Sequence, residues 1–212
     1  MKSQVLVFFV FLLSFSCSNK KESNSINVND ITKGDSAATI KPEKTINVYS
    51  PVDVSPMDMT YFPVDYPKLK MSKAFVASPP FARVIYSRPH LQGRHIFHEV
   101  LKYGEPWRLG ANEATELELY NDATIQGKKI KAGRYILYCI PQQKEWTIVL
   151  NDNTDTWGLQ QDPSKDIARF IVPVKETANS LEFFTMVFEG TNSRASLLMA
   201  WDNVEVRLPF SF

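Results

Sequence analysis

Between residues 81 and 212 the chain breaks into short β-type runs, each bounded by turn residues. The runs are ARVIYS, TELELY, DATIQ, GRYILYCI, EWTIVLN, IARFIVPV, LEFFTMVFE, RASLLMAWD and NVEVRLPF. The connections QGKKIKAG, PQQK, EGTN and WDN carry the Gly, Asn, Asp and Lys that turns favour. Strands recurring every ~8–12 residues predict an all-β, mainly antiparallel fold, a β-sandwich or jelly-roll-like domain over 81–212. In TELELY, Leu117 and Leu119 alternate with Glu116 and Glu118, so one face meets the core and the other meets solvent. RYILYCI is apolar on both faces, and such a strand needs a cover on its outer side. LEFFTMVFE poses the same demand. One short helix fits RHIFHEVLKYG, where Ile96, Val100 and Tyr103 fall at helical spacing before Gly104. Pro106 then prevents continuation and delivers the chain to Trp107.

Upstream of this domain the composition changes twice. Residues 46–80 hold prolines at 51, 56, 63, 67, 79 and 80, which exclude a long helix or a central strand. Met57, Met59, Tyr61, Phe62, Tyr66, Leu69 and Met71 are nonetheless too apolar for a free linker. We expect an extended N-terminal arm packed on the domain, and it is the candidate cover for RYILYCI. Residues 17–45 are rich in Ser, Asn, Lys, Asp and Thr with no aromatic residue, the composition of a flexible tether.

The first residues have one basic side chain, Lys2, and the apolar run Val5–Leu13, too short to span a bilayer. That pattern reads as an export signal over residues 1–16. The end of the run, LSFSC, resembles the lipobox of bacterial lipoproteins, in which the cysteine is lipidated and becomes the mature N-terminus. The resemblance makes Cys17 the lipidated residue and a membrane the partner, through the lipid anchor. Ser18 and Asn19 stand where an Asp would retain a lipoprotein, so similarity to lipoprotein sorting implies an exported protein of the outer membrane. With Cys17 acylated, Cys139 has no cysteine left to pair with, and its apolar surroundings make it a buried thiol rather than a nucleophile.

The 212 residues carry 24 Lys+Arg against 23 Asp+Glu, so no basic face calls for nucleic acid as a partner. Hydrophobic residues at 44% are enough for a core that needs no disulfide. The chain has no GxSxG elbow, no GxxxxGK[ST] loop and no dinucleotide fingerprint, and no cofactor is expected.

The densest polar cluster is WRLGANEAT, residues 107–115. Together with two upstream arginines it gives the candidate ligand-binding set Arg88, Arg94, Trp107, Arg108, Asn112 and Glu113. Arginine offers a rigid fork for carboxylate, phosphate or hydroxyl groups, and tryptophan offers a flat plate of the kind used to bind sugars. The same residues also suit a scaffold. Arg108 and Glu113 can pair across Gly110–Ala111, Arg88 or Arg94 can bind loop carbonyls, Asn112 can pin the turn, and Trp107 can fill the core edge. His90, His95 and His98 include an i, i+3 pair, but HExxH is absent and no metal site is assigned. Asp152, Asp155 and Asp166 with Glu113 are the carboxylates available for glycoside chemistry, and loop aspartates of this kind are mostly turn formers.

Several stretches resemble one bacterial family, domain of unknown function 2911. They are YSRP (86–89), YGEPWRLGANEAT (103–115), IQGKKIKAGRYILYCIP (125–141), EWTIVLN (145–151), TDTWG (154–158) and MAWDNVEVRLPFSF (199–212). SPMDMTYFPVDYPKLKMS (55–72) resembles the arm of its lipoprotein members, so the likeness covers roughly 55–212. His95 and His98 stand where the family commonly has Lys and Gly. The family has no established activity, so the resemblance implies motif positions and no catalytic roles. Two functional classes stay open. One is a non-catalytic module of the envelope, binding a small polar ligand such as a saccharide or peptide, or serving as structure. The other is an envelope hydrolase of saccharide or peptide with Glu113 as acid or base, which needs Glu113 in a cleft with a second carboxylate ~5–10 Å away.

Overall fold

A computed structural model describes residues 54–72 and 78–212. Cys17, the signal over 1–16 and the tether over 17–45 lie outside the described residues. The fold is all-β and mainly antiparallel, in two sheets. The larger has the order β1 (Met57–Phe62), β2 (Ala82–Ser87), β3 (Thr115–Leu119), β6 (Gly133–Pro141), β7 (Glu145–Asn151), β8 (Asp166–Pro173). The smaller has the order β5 (Lys128–Ile130), β4 (Ala123–Ile125), β10 (Arg194–Ser211), β9 (Lys175–Thr191). Their inner faces meet through aromatic pairs: Phe62 lies 6.1 Å from Phe188, and Tyr86 meets Phe184 edge-on at 5.8 Å. Trp146 and Trp201 are both fully buried.

Alternation in the sequence becomes register here. Leu117 and Leu119 of β3 are buried, while Glu118 lies opposite Arg83 of β2 and forms an ion pair with it. Glu116 binds Arg134 of β6 at 2.9 Å on the same outer face. In β6, Tyr135, Leu137 and Cys139 join the central core, whereas Ile136 and Tyr138 are buried on the opposite face.

The described part of the arm does not form the cover over that opposite face. β1 is the edge strand of the sheet, with β2 and β3 between it and β6. Residues 152–165 do the covering. Asn153, Thr156, Gly158, Gln160 and Gln161 lie over Ile136 and Tyr138. The loop is anchored by Asn151 Nδ2, which donates to the Asp162 carbonyl and to Asp166, both at 2.8 Å. The described part of the 46–80 segment instead adds β1, flanked by Pro56 and Pro63, and a six-residue helix, α1 (Tyr66–Met71). In LEFFTMVFE the outer face is only partly covered. Phe183 is 39% exposed and stacks on the His90 ring at 5.3 Å.

The helix expected over RHIFHEVLKYG is shortened to one π-helical turn, Ile96–Val100. Leu101 is already extended, and the Gly104 amide is held by the Pro141 carbonyl at 2.8 Å. Pairing of this segment with the end of β6 therefore wins over continued helix, which for so short a stretch is marginal on its own.

Candidate functional site

The 107–115 stretch is fixed to both sheets. Trp107 exchanges two 2.8 Å backbone hydrogen bonds with Cys139. Its indole N–H donates to the Gly110 carbonyl at 3.1 Å, and its ring stacks on Trp201 at 5.7 Å and meets Phe184 at 4.8 Å. With 7% of its surface exposed, Trp107 has no ring face left for a sugar to stack on. Leu109 and Asn112 take left-handed backbone conformations, which fold the stretch back on itself. The Thr115 hydroxyl donates to the Leu109 carbonyl at 2.7 Å and closes the turn.

The neighbouring motif TDTWG packs onto this turn. Gly158 sits at φ +79, and a Cβ there would stand 2.9 Å from Ala114 Cα and 3.2 Å from Arg108 Cβ. Only glycine fits that approach without a shift, so residues 107–115 and 152–165 form one wall.

The candidate residues have separate fates. Arg88 is a cross-sheet clamp: it donates to the Phe184 carbonyl at 3.2 Å, to Asp58 at 3.2 Å and to the Thr185 hydroxyl at 3.0 Å. Arg94 donates to the Leu91 and His90 carbonyls at 2.8 and 3.0 Å, closing its own loop. Asn112 is half-buried in the turn. Glu113 is exposed in a shallow depression beside Glu116 and Asp155, both of which bind Arg134. The Arg108–Glu113 pairing allowed by the sequence is not made: among the described residues, no hydrogen bond or ion pair holds Arg108.

Arg108 is therefore unusual. Its Nη1 is buried and has no hydrogen-bond partner among the described residues, as is also true of Arg83 Nε, Ser87 Oγ and Trp146 Nε1. Burial pushes the guanidinium below its ordinary pKa, and the charge of Glu113 offsets part of that. The side chain stands between two cavities. One, of about 10 Å³, is lined by Asn151, Gln161 and Tyr138. The other is an open groove of about 310 Å³. Val100, Leu101, Pro106 and Leu159 line it, with the edges of Trp107 and Trp201.

His90, His95 and Cys139 do not line this groove. His90 lies against Phe183 and 3.6 Å from Glu182, and exposed His95 lies 3.7 Å from Asp202. The side chain of His98 lies outside the described residues. No three His, Cys, Asp or Glu side chains are grouped to hold a metal among the described residues. Burial pushes the Cys139 thiol well above its ordinary pKa, so it stays protonated and unreactive.

Sequence reasoning missed Leu159, Gln161 and Trp201 as groove residues. The signal available was proximity to quoted motifs: Leu159 and Gln161 directly follow TDTWG, and Trp201 lies in the closing MAWDN. A family model described as Protein of unknown function (DUF2911) matches residues 71–210. No curated protein and no solved structure matches the chain.

Proposed function

The chain belongs to this family of proteins of unknown function, and on that premise we propose that it is a lipid-anchored cell-envelope protein whose domain is a non-catalytic binding module. The anchor and the outer-membrane location are supported by the sequence up to Asn19 and the tether that follows. The binding reading is supported by one observation above the others: Arg108, half-buried and with no hydrogen bond or ion pair among the described residues, lines an open groove. An unsatisfied buried donor costs about 1–3 kcal/mol, and of the four such atoms among the described residues only that of Arg108 belongs to a residue lining this groove. A ligand in the groove would meet a half-buried arginine whose charge has no ion pair among the described residues.

The hydrolytic alternative needs Glu113 in a cleft with a second carboxylate, and Glu113 is exposed in a shallow depression that also holds Glu116 and Asp155. Glu116 and Asp155 are both held by Arg134, and the depression includes neither Arg108 nor Trp107. Binding is therefore the reading adopted.

A thermal-shift screen of saccharides, short peptides and small organic acids tests it, with wild type and Arg108→Ala compared side by side. The expected result is a melting temperature raised by at least one compound in wild type and unmoved in the variant. Hits that shift both proteins equally would remove Arg108 from the site and the reading with it.

A further inference from the structure

The groove itself restricts what it can hold. Among the described residues Arg108 is the only ionisable side chain in its wall; the others are apolar, Gly or the amide of Gln161. One cation with no second cation beside it matches a monoanion better than a phosphate dianion, and the planar fork of arginine matches a carboxylate. The remaining surface asks for apolar contact. Leu159 is 65% exposed at the rim, and Val100, Leu101 and Pro106 continue the apolar lining. A sugar would leave that surface uncovered, and buried Trp107 offers it no plate. The volume, about 310 Å³, lies at the small end of ligand pockets.

We propose that the groove binds a small amphiphilic carboxylate, its head on Arg108 and its alkyl or aryl body against Val100, Leu101, Pro106 and Leu159. This rests on the reading of the domain as a binding module and names the class of ligand for the same site. The carboxylate replaces hydration of the guanidinium with a charge-assisted hydrogen bond, while the body takes Leu159 out of water.

The test uses the folded protein and octanoate, with 1-octanol and octyl glucoside at equal submicellar concentration as head-group controls. Melting temperature and tryptophan fluorescence are read together, since Trp107 and Trp201 edge the groove. Octanoate is expected to give saturable changes in both, and Arg108→Gln to weaken it by about tenfold or more. Leu159→Ser, at an exposed position, is expected to weaken octanoate several-fold while leaving the unliganded melting temperature unchanged. An equal response to 1-octanol overturns the carboxylate assignment and leaves a binding groove. A response confined to octyl glucoside overturns it in favour of a sugar. No response to all three also overturns it, and the broader screen then decides separately whether the domain binds anything at Arg108.

Discussion

Arg88 and Arg108 belong to one cluster in the sequence, and their surroundings make them opposites. Arg88 spends its donors on Asp58, Phe184 and Thr185, joining β1 and the larger sheet to β9. Its guanidinium also lies 5.8 Å from the Phe183 ring. Arg88→Ala removes these ties, leaves the Phe184 carbonyl without its donor, and should lower unfolding free energy by about 1–3 kcal/mol, measured by chemical denaturation. Arg108 has no such ties among the described residues; it lines two cavities, and its Nη1 is buried without a partner there. Spacing shows which arginines are close in the chain but not how many acceptors surround each one, so the sequence could nominate both and rank neither.

At the scale of elements, residues 152–165 decide the shape of the site. They roof the outer face of β6, and Tyr138 beneath them donates to Asp166 at 2.9 Å. Burial, reinforced by that carboxylate, raises the Tyr138 pKa from 10.0 to about 12. A raised pKa in the folded state adds stability that is complete below the unfolded value of 10.0 and disappears as pH rises toward 12. Wild type should therefore lose stability between pH 10 and 12 more steeply than Tyr138→Phe, as read by melting temperature against pH. Identical slopes would remove Tyr138 from that limb. The need for a roof was legible in RYILYCI, because both of its faces are apolar. The identity of the roof was not. Its residues are Asn, Thr, Gly and Gln, which read as ordinary loop, while the aromatic arm drew attention by hydropathy. β3 was legible in full because alternation fixes register; the helix near residue 96 was not, because contacts with β6 and Asp202 cut it to one turn.

At the scale of the whole molecule, two sheets close on a core rich in aromatic side chains, and the candidate groove opens at one wall of it. The fold class was legible from strand spacing, and the candidate stretch 107–115 from its polarity. The groove was not, since Val100, Leu101, Trp107, Leu159 and Trp201 converge only after both sheets have formed. The proposed anchor has its own test: fractionated cells should show wild type with membranes and Cys17→Ala released, and unchanged partitioning would contradict lipidation. The central claim, that Arg108 is kept for a ligand rather than for the fold, bears on global stability. The measurement is the unfolding free energy of Arg108→Met without ligand, which replaces a half-buried cation with one unsatisfied nitrogen by an apolar side chain of similar reach. Our account predicts a variant as stable as wild type or more stable by about 1–2 kcal/mol. A loss of about 3 kcal/mol or more would contradict it and make Arg108 part of the scaffold.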